Sequence, residues 1–160
     1  MLSVYLICVG KLKEKFYVDA CAEYAKRLSA FCRLTLVEIP EAKLPQNPSP
    51  AEIDAALARE GEAIRAKIPP SARTVALCVE GRMRSSEDFS HMFPTVGNSR
   101  DKHLVFLIGG SHGLHPSVKA ETSAQLSMSP MTFPHHLARV MLLEQIYRAF
   151  QINAGSKYHK

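Results

Sequence analysis

Glu144 and Arg148 carry opposite charges and are separated by one helical turn in the sequence. Four positions apart on a helix, an acid and a cation share one face and can form an ion pair. Beside a substrate, the cation can stabilise a negative charge and the acid can accept a proton. The same spacing also fits an ordinary surface ion pair, which contributes little to stability.

The chain ends in a polar and basic stretch, GSKYHK, directly after an apolar segment with helical spacing. Chain ends usually fray and tolerate change. Here Tyr158 can stack on a nucleobase, while Lys157 and Lys160 can contact phosphates. A disordered end explains the same residues without any function, so the tail alone does not decide between the two interpretations.

A glycine-rich turn, IGGSHGL, covers residues 108–114 and follows an apolar run. Glycine-rich turns at the carboxyl ends of parallel strands are where α/β folds bind ligands, because the backbone can approach the ligand closely. A tight strand-to-helix turn without a ligand is an equally good interpretation. The pattern is neither GxGxxG nor GxxxxGK[ST], so it supports neither a dinucleotide site nor a P-loop.

The segment LSMSPMTFP, residues 126–134, mixes hydroxyl groups with Met and Phe side chains. Apolar walls with a few polar groups suit a flat heterocycle such as adenine. The two prolines fix the backbone locally. On these residues alone, a core strand followed by a rigid loop is the favoured interpretation.

These candidate sites lie between elements that alternate along the chain. Apolar runs predict strands over residues 2–9, 34–39, 73–81, 103–110 and 126–129. Helices are predicted over residues 14–31, from Pro50 (capped by Ser49) to Pro69, over 85–93, from 115 to 122, and over 135–152. This order predicts an α/β fold with a mainly parallel sheet and helices on both faces, in one domain of residues 1–160.

Two of the predicted helices have apolar faces that make specific packing predictions. Phe16, Ala20, Tyr24 and Leu28 form an apolar row in the first helix. The last helix is apolar over a wide arc and is therefore expected to be buried on more than one side, against its own sheet and a second subunit.

Composition restricts the function classes. The net charge of +5 permits a nucleic-acid partner without demanding one. The four cysteines form no CxxC pair, so free thiols in a reducing cytoplasm are expected, with no metal site. No apolar run is long enough to span a bilayer, so no membrane partner is expected. The N-terminus is interpreted as a strand and not as a signal peptide.

Several segments together resemble one family. They are LIGGSHGL (107–114), SMSPMTFPH (127–135), Arg139, EQIYRA (144–149) and the ending YHK (158–160). The chain is similar, over its whole length and including its opening VGKLKEKF, to the ribosomal RNA large-subunit methyltransferase H family. This family is a branch of the SPOUT methyltransferases.

The resemblance implies a C-terminal part threaded into a trefoil knot, a feature too rare to propose from periodicity. It also implies a homodimer that binds S-adenosylmethionine in the knot. The implied reaction is methylation of N3 of a pseudouridine in 23S ribosomal RNA, on the assembled ribosome in the cytoplasm.

Residue roles follow from the resemblance by position. The implied cofactor-binding residues are Leu77, Gly109, Met128, Ser129, Pro130, Met131, Thr132 and Phe133. The implied catalytic residues are Glu144, Arg148, Tyr158 and His159, with Lys160 where some members have Arg and with His135 as a further candidate. Pro130 departs from many relatives and removes one backbone N–H donor.

The ring N3 carries a proton that must leave. Arg148 or Lys160 would favour the anionic ring, and His159 or Glu144 would accept the proton. Because pairing with Arg148 would make Glu144 a poor base, His159 or no dedicated base is preferred.

Three other functions remain open at this point. The first is a methyltransferase of the same knotted class that acts on another RNA. The second is a non-catalytic ribosome-binding or assembly factor that retains the cofactor pocket. The third is a generic nucleotide-binding α/β protein, supported only by the glycine-rich turn.

Overall fold

Helices and strands alternate along the chain in the computed structural model, which describes residues 1–94 and 102–160. The strands are β1 (Ser3–Val9), β2 (Arg33–Ile39), β3 (Arg73–Met83), β4 (His103–Ile108) and β5 (Ala124–Ser127). The helices are α1 (Lys15–Leu28), α2 (Pro50–Arg65), α3 (Ser86–Ser90), α4 (Pro116–Glu121) and α5 (His135–Asn153). Ser49 caps α2 as predicted, accepting a hydrogen bond from the backbone N–H of Glu52.

The five strands form one sheet in the order β2-β1-β4-β3-β5, and every neighbouring pair is parallel. The predicted parallel α/β architecture is therefore confirmed. The carboxyl ends of parallel strands meet at one edge of a sheet, where ligands bind in such folds. The loops that follow β3, β4 and β5 consequently start from the same edge.

Helices cover both faces of the sheet. On one face, Cys21 of α1, Phe89 of α3 and Leu142 of α5 share a core with Phe106 of β4. On the other face, Ile64 of α2 and Val118 of α4 pack against strand residues such as Val105 and Leu107. Central strands buried on both faces read as continuous apolar runs, and this is why β1 and β4 were recognisable in the sequence.

Helix α5 is buried on several sides by its own chain. Leu142, Leu143 and Ile146 are fully buried. Tyr147 lies edge-on to Phe31, with ring centroids 6.0 Å apart, and Phe150 stacks on Phe31 at 5.7 Å. Contacts within one chain thus account for much of the wide apolar arc of α5. The contact between α5 and a second subunit stays a prediction.

Phe16 does not lie in the core as its place in the predicted apolar row implied. Its side chain is 66% exposed. Residues spaced by four advance about 40° around a helix at each step, because one turn takes about 3.6 residues. Over three steps from Leu28, the row has moved about 120° around α1, which turns Phe16 towards solvent.

The predicted fifth strand is shifted by two residues. Ala124, Gln125 and Leu126 pair with Val75, Ala76 and Leu77 of β3, so β5 begins and ends two residues earlier than predicted. Strand β3 is longer than predicted, because a register shift after Leu77 lets Arg82 and Met83 pair with β5 again. Strand β4 ends at Ile108, which leaves Gly109 and Gly110 in the following turn.

Candidate functional site

A cavity of about 730 Å³ lies where the loops after β3, β4 and β5 meet. Leu77 of β3 and Ile108 of β4 form its floor. The glycine-rich turn 109–114 and the segment 128–135 also line it, except at Pro130. The site therefore combines the two segments that the sequence singled out separately.

The glycine-rich turn has no room for a side chain at its first position. A Cβ atom added to Gly109 would lie 2.4 Å from the carbonyl carbon of Gly113. The N–H of Gly113 donates to the carbonyl of Gly110 over 3.0 Å and closes the turn. Gly113 itself has φ +77°, in the left-handed region that favours glycine. These requirements keep backbone groups at the cavity surface.

The segment after β5 is fixed by its own hydrogen bonds. Ser127 is buried, and its hydroxyl donates to the carbonyl of Ser129 over 3.1 Å. The Ser129 hydroxyl in turn accepts from the backbone N–H of Met131 over 3.0 Å. Met131 is 73% exposed at the rim of the cavity, whereas Met128 and Phe133 are half-buried in its wall.

Charged and titratable groups also line the cavity. Glu80 and Lys119 form an ion pair, and this contact holds the pKa of Glu80 below its usual value. Burial lowers the pKa of His135, and the neighbouring His136 ring lowers it further. The two imidazoles lie edge to face, with ring centroids 4.1 Å apart. Because its pKa is depressed, the His135 ring is neutral at neutral pH.

The chain end folds back onto α5 and forms what we call the tail cluster: Glu144, Arg148, Tyr158, His159 and Glu87. Arg148 donates to both carboxylate oxygens of Glu144, over 2.9 and 3.3 Å. The Tyr158 hydroxyl donates to Glu144 over 3.0 Å, and the Arg148 guanidinium lies 4.8 Å from the Tyr158 ring centroid. The tail is thus held by polar contacts to α5 and is not a frayed end.

The hydrogen-bond partners of His159 determine its tautomer. Its Nδ1 lies 3.1 Å from Nη1 of Arg148, and its Nε2 lies 2.6 Å from a carboxylate oxygen of Glu87. A guanidinium only donates, so Nδ1 must accept and Nε2 must carry the hydrogen. The bond from His159 lowers the pKa of Glu87. The lone pair of His159 is therefore engaged by Arg148 in this arrangement.

Glu144 is similarly engaged. Besides its bonds to Arg148 and Tyr158, it accepts from the side-chain amide of Gln145 over 3.1 Å. Burial of the ring, together with the hydrogen bond to Glu144, raises the pKa of Tyr158. The four predicted catalytic residues thus contact one another, but none of them lines the 730 Å³ cavity.

Comparison with known proteins agrees with this geometry. Residues 2–159 match the sequence model of a family described as "Predicted SPOUT methyltransferase". The chain belongs to the SPOUT methyltransferase family. Similar proteins named "Ribosomal RNA large subunit methyltransferase H" come from Levilactobacillus brevis (46% identical), Ligilactobacillus salivarius (45%) and Leuconostoc mesenteroides (43%). Each match covers 99% of this chain and 100% of the relative.

Family membership means that the large cavity belongs to a methyltransferase. Seven of the eight residues predicted to bind the cofactor line it. They are Leu77, Gly109, Met128, Ser129, Met131, Thr132 and Phe133. Pro130 is exposed and lies outside the lining. The further candidate His135 lines the cavity too.

Sequence reasoning missed several residues at the site. Glu80 lies near the carboxyl end of β3, beyond its pairing with β4, so the general rule about carboxyl ends of parallel strands was a usable signal for it. Lys119 pairs with Glu80 from α4, and Glu87 reaches His159 across 72 positions of sequence. No local pattern marks either of these contacts.

A metal and a membrane segment were not expected from the sequence. Within residues 1–94 and 102–160, no group of three or more His, Cys, Asp or Glu side chains has an arrangement that could hold a metal ion. In the same part of the chain, no helix combines the length and the apolar character needed to cross a membrane.

Proposed function

We propose that this protein transfers a methyl group from S-adenosylmethionine to N3 of a pseudouridine in 23S ribosomal RNA. The observation that carries this proposal is the 730 Å³ cavity, which unites the glycine-rich turn with the segment after β5. The names of the full-length relatives support ribosomal RNA of the large subunit as the substrate. The pseudouridine, the N3 position and the assembled ribosome rest on the family resemblance.

The cavity fits S-adenosylmethionine in size and chemistry. Its volume of about 730 Å³ lies within the range of roughly 300–1,000 Å³ that is usual for ligand sites. Leu77, Ile108 and Met128 offer apolar surface for the adenine. Glu80 and Lys119 offer one charge of each sign for the ammonium and carboxylate of the methionine part. When bound, the sulfonium supplies an already activated methyl group.

The protein's task is then mainly positioning. The turn at Gly109 and Gly113 presents backbone to the ligand, and the bonded segment after β5 closes the opposite wall. Holding donor and acceptor in line can contribute about 7–11 kcal/mol to lowering a barrier in favourable cases. The hydrogen bonds of Ser127 and Ser129 are made within the segment itself, so they hold this wall without using a contact to the ligand.

The tail cluster handles the charge of the target base in this proposal. Loss of the N3 proton leaves a negative ring, which the guanidinium of Arg148 stabilises. Glu144 accepts hydrogen bonds from three neighbouring side chains, so its carboxylate oxygens are already occupied by partners within the protein. His159 can take the proton only after its Nδ1 leaves Arg148. The contact between Arg148 and the ring therefore competes with the contact between Arg148 and His159.

The proposed assembly is a homodimer that works on ribosomes in the cytoplasm. Large apolar side chains are exposed at Val79 (52%), Met83 (60%) and Met131 (73%). Val79 and Met131 lie at the rim of the cavity. A second copy that covers this apolar surface would enclose the site further and supply additional contacts to the RNA.

The test is transfer of labelled methyl from S-adenosylmethionine to ribosomes that lack the modification. Separated large subunits and bulk transfer RNA are assayed in parallel. Label confined to 23S RNA of whole ribosomes, mapped to N3 of a pseudouridine, is the expected result. Label on transfer RNA would assign another substrate, and cofactor binding without any transfer would favour a non-catalytic ribosome-binding factor.

A further inference from the structure

A second cavity, of about 310 Å³, lies between α3, α5 and the end of β5. It adjoins the larger one, since Met128 contributes to the walls of both. It also adjoins the tail cluster, because Glu144 lines it. This second cavity therefore occupies the space between the predicted donor site and the residues predicted to handle the substrate.

We propose that the second cavity receives the target base, a pyrimidine turned out of its RNA strand, with the Gln145 amide reading its edge. This inference rests on the proposed function. A methyl donor and its acceptor must come into contact, so their cavities must adjoin. A volume of about 310 Å³ is near the lower end of the usual range for ligand sites, roughly 300–1,000 Å³, and suits one nucleoside better than a cofactor.

The walls of the second cavity match what a flipped base requires. Enzymes that modify bases hold them between aromatic or apolar side chains and read the edge through hydrogen bonds. Here Phe89, Met128 and Met141 provide the apolar surface. Arg84 lies at the same cavity and carries a positive charge suited to a phosphate of the RNA backbone.

Gln145 has the hydrogen-bonding capacity to read a pyrimidine edge. Its carbonyl oxygen accepts from the Ser86 hydroxyl over 2.7 Å, and its NH₂ group donates to Glu144 over 3.1 Å. An amide has two donors and two acceptor lone pairs, so one of each remains. Pseudouridine has an N1–H group beside its C2=O group, and this pair complements the remaining acceptor and donor while leaving N3 free to receive the methyl group. The bonds to Ser86 and Glu144 hold the amide in a fixed orientation.

Three variants test the assignment on unmodified ribosomes, with S-adenosylmethionine affinity measured separately by calorimetry. Gln145→Ala removes the reading amide, and Met141→Trp fills the cavity. Each is expected to lower kcat/KM for ribosomes by roughly tenfold or more, while the Kd for S-adenosylmethionine changes less than about twofold. Gln151→Ala is the matched control, because Gln151 is the same residue type on the same helix and lines neither cavity.

Ser86→Ala tests whether Gln145 contacts the base or only links α3 to α5. It removes the bond between α3 and the Gln145 side chain but leaves the amide in place. A smaller loss than for Gln145→Ala supports the proposal, and an equal loss assigns Gln145 to holding the two helices together. Wild-type rates on ribosomes for both Gln145→Ala and Met141→Trp, or a parallel loss of S-adenosylmethionine affinity in both, would overturn it. Failure of the unaltered protein to methylate any ribosomal RNA would instead reject the proposed function.

Discussion

The large cavity depends on the absence of a Cβ atom at Gly109. At Gly109 the nearest backbone of Gly113 leaves no space for even a methyl group. At the neighbouring Gly110, an added Cβ would meet the flexible Glu41 carboxylate at 3.1 Å and a Val9 methyl at 3.2 Å. Two adjacent glycines therefore have different tolerance for a side chain.

Gly109→Ala is expected to open the turn, because a Cβ cannot be placed 2.4 Å from a carbonyl carbon. We expect a loss of about 1–3 kcal/mol in the free energy of unfolding. S-adenosylmethionine affinity should fall at least tenfold or so. Urea denaturation and calorimetry measure these two effects. Gly110→Ala is the control and should be milder in both; equal effects of the two substitutions would contradict the geometric explanation.

The depressed pKa of His135 makes stability depend on pH in a defined direction. As pH falls, the unfolded chain takes up the proton first, near pH 6.5. The stability contributed by the neutral, buried ring is thus complete above that pH and decreases as pH falls towards the lower folded-state pKa. Wild-type protein should lose more free energy of unfolding between about pH 7 and pH 5 than His135→Gln. Parallel urea denaturation curves at several pH values measure the difference, and an identical loss in both proteins would refute it.

At the scale of elements, α5 connects the two ends of the chain. Arg139 is 3% exposed and donates to Glu38 over 2.9 Å and to the carbonyl of Gly10 over 3.1 Å. Glu38 also accepts from the backbone N–H of Leu12 over 2.9 Å. These contacts join α5 to the ends of β1 and β2 and fix the loop between β1 and α1.

Replacing Arg139 with Leu should destabilise the fold by about 2–3 kcal/mol, because it leaves two acceptors without a charged donor. Glu38→Gln, Arg139→Leu and the double variant form a cycle that isolates the coupling between the side chains. Chemical denaturation measures each free energy of unfolding. Strict additivity of the two single changes would show that the pair is not coupled.

Deletion of Tyr158 to Lys160 removes the polar contacts between the tail and α5. We expect methylation to fall about 100-fold, since Arg148 and Glu144 lose the partners that position them. S-adenosylmethionine affinity should be unchanged, because none of the deleted residues lines the large cavity. Ala154→Ser, an exposed change at the end of α5, is the control. Full methylation by the truncated protein would exclude a role for the tail.

At the scale of the whole molecule, the order of helices and strands could be predicted from the sequence, because burial determines which residues are apolar. Strands buried on both faces, such as β1 and β4, appear as apolar runs, and the caps of α2 and α3 appear as serines. The trefoil knot and the homodimer came from the resemblance and stay predictions. Periodicity carries no information about threading. The wide apolar arc of α5 suggested a second subunit, but contacts within the chain account for much of that arc.

The candidate site was less predictable from local patterns. The glycine-rich turn and the segment after β5 were each ambiguous in the sequence and became one site only when the sheet brought them together. The tail contacts Glu87, which is 72 residues away, and neither residue type nor spacing reports such a contact. For Phe16 the sequence pattern was misleading instead. The regular spacing predicted a buried side chain, but the row of residues turns around α1 and leaves Phe16 exposed.

The dimer is tested by sedimentation equilibrium. We expect a mass about twice that of the 17.7 kDa chain. Met83→Glu places a charge on a side chain that is 60% exposed, and it should weaken association if that surface is the interface. Lys67→Glu, an exposed change in the turn after α2, is the control. A monomeric mass at all concentrations would reject the homodimer.

The contact between Arg139 and Gly10 also bears on synthesis of the protein, since it joins residues 129 positions apart. During translation, α5 leaves the ribosome after all five strands, and β1 and β2 emerge long before this partner. The sheet lacks the core residues Leu142, Leu143 and Ile146 until then. Nascent chains that stop before α5 thus expose one apolar face of the sheet and become substrates for chaperones and proteases. Completion of α5 supplies these core side chains and ends the exposure of this face.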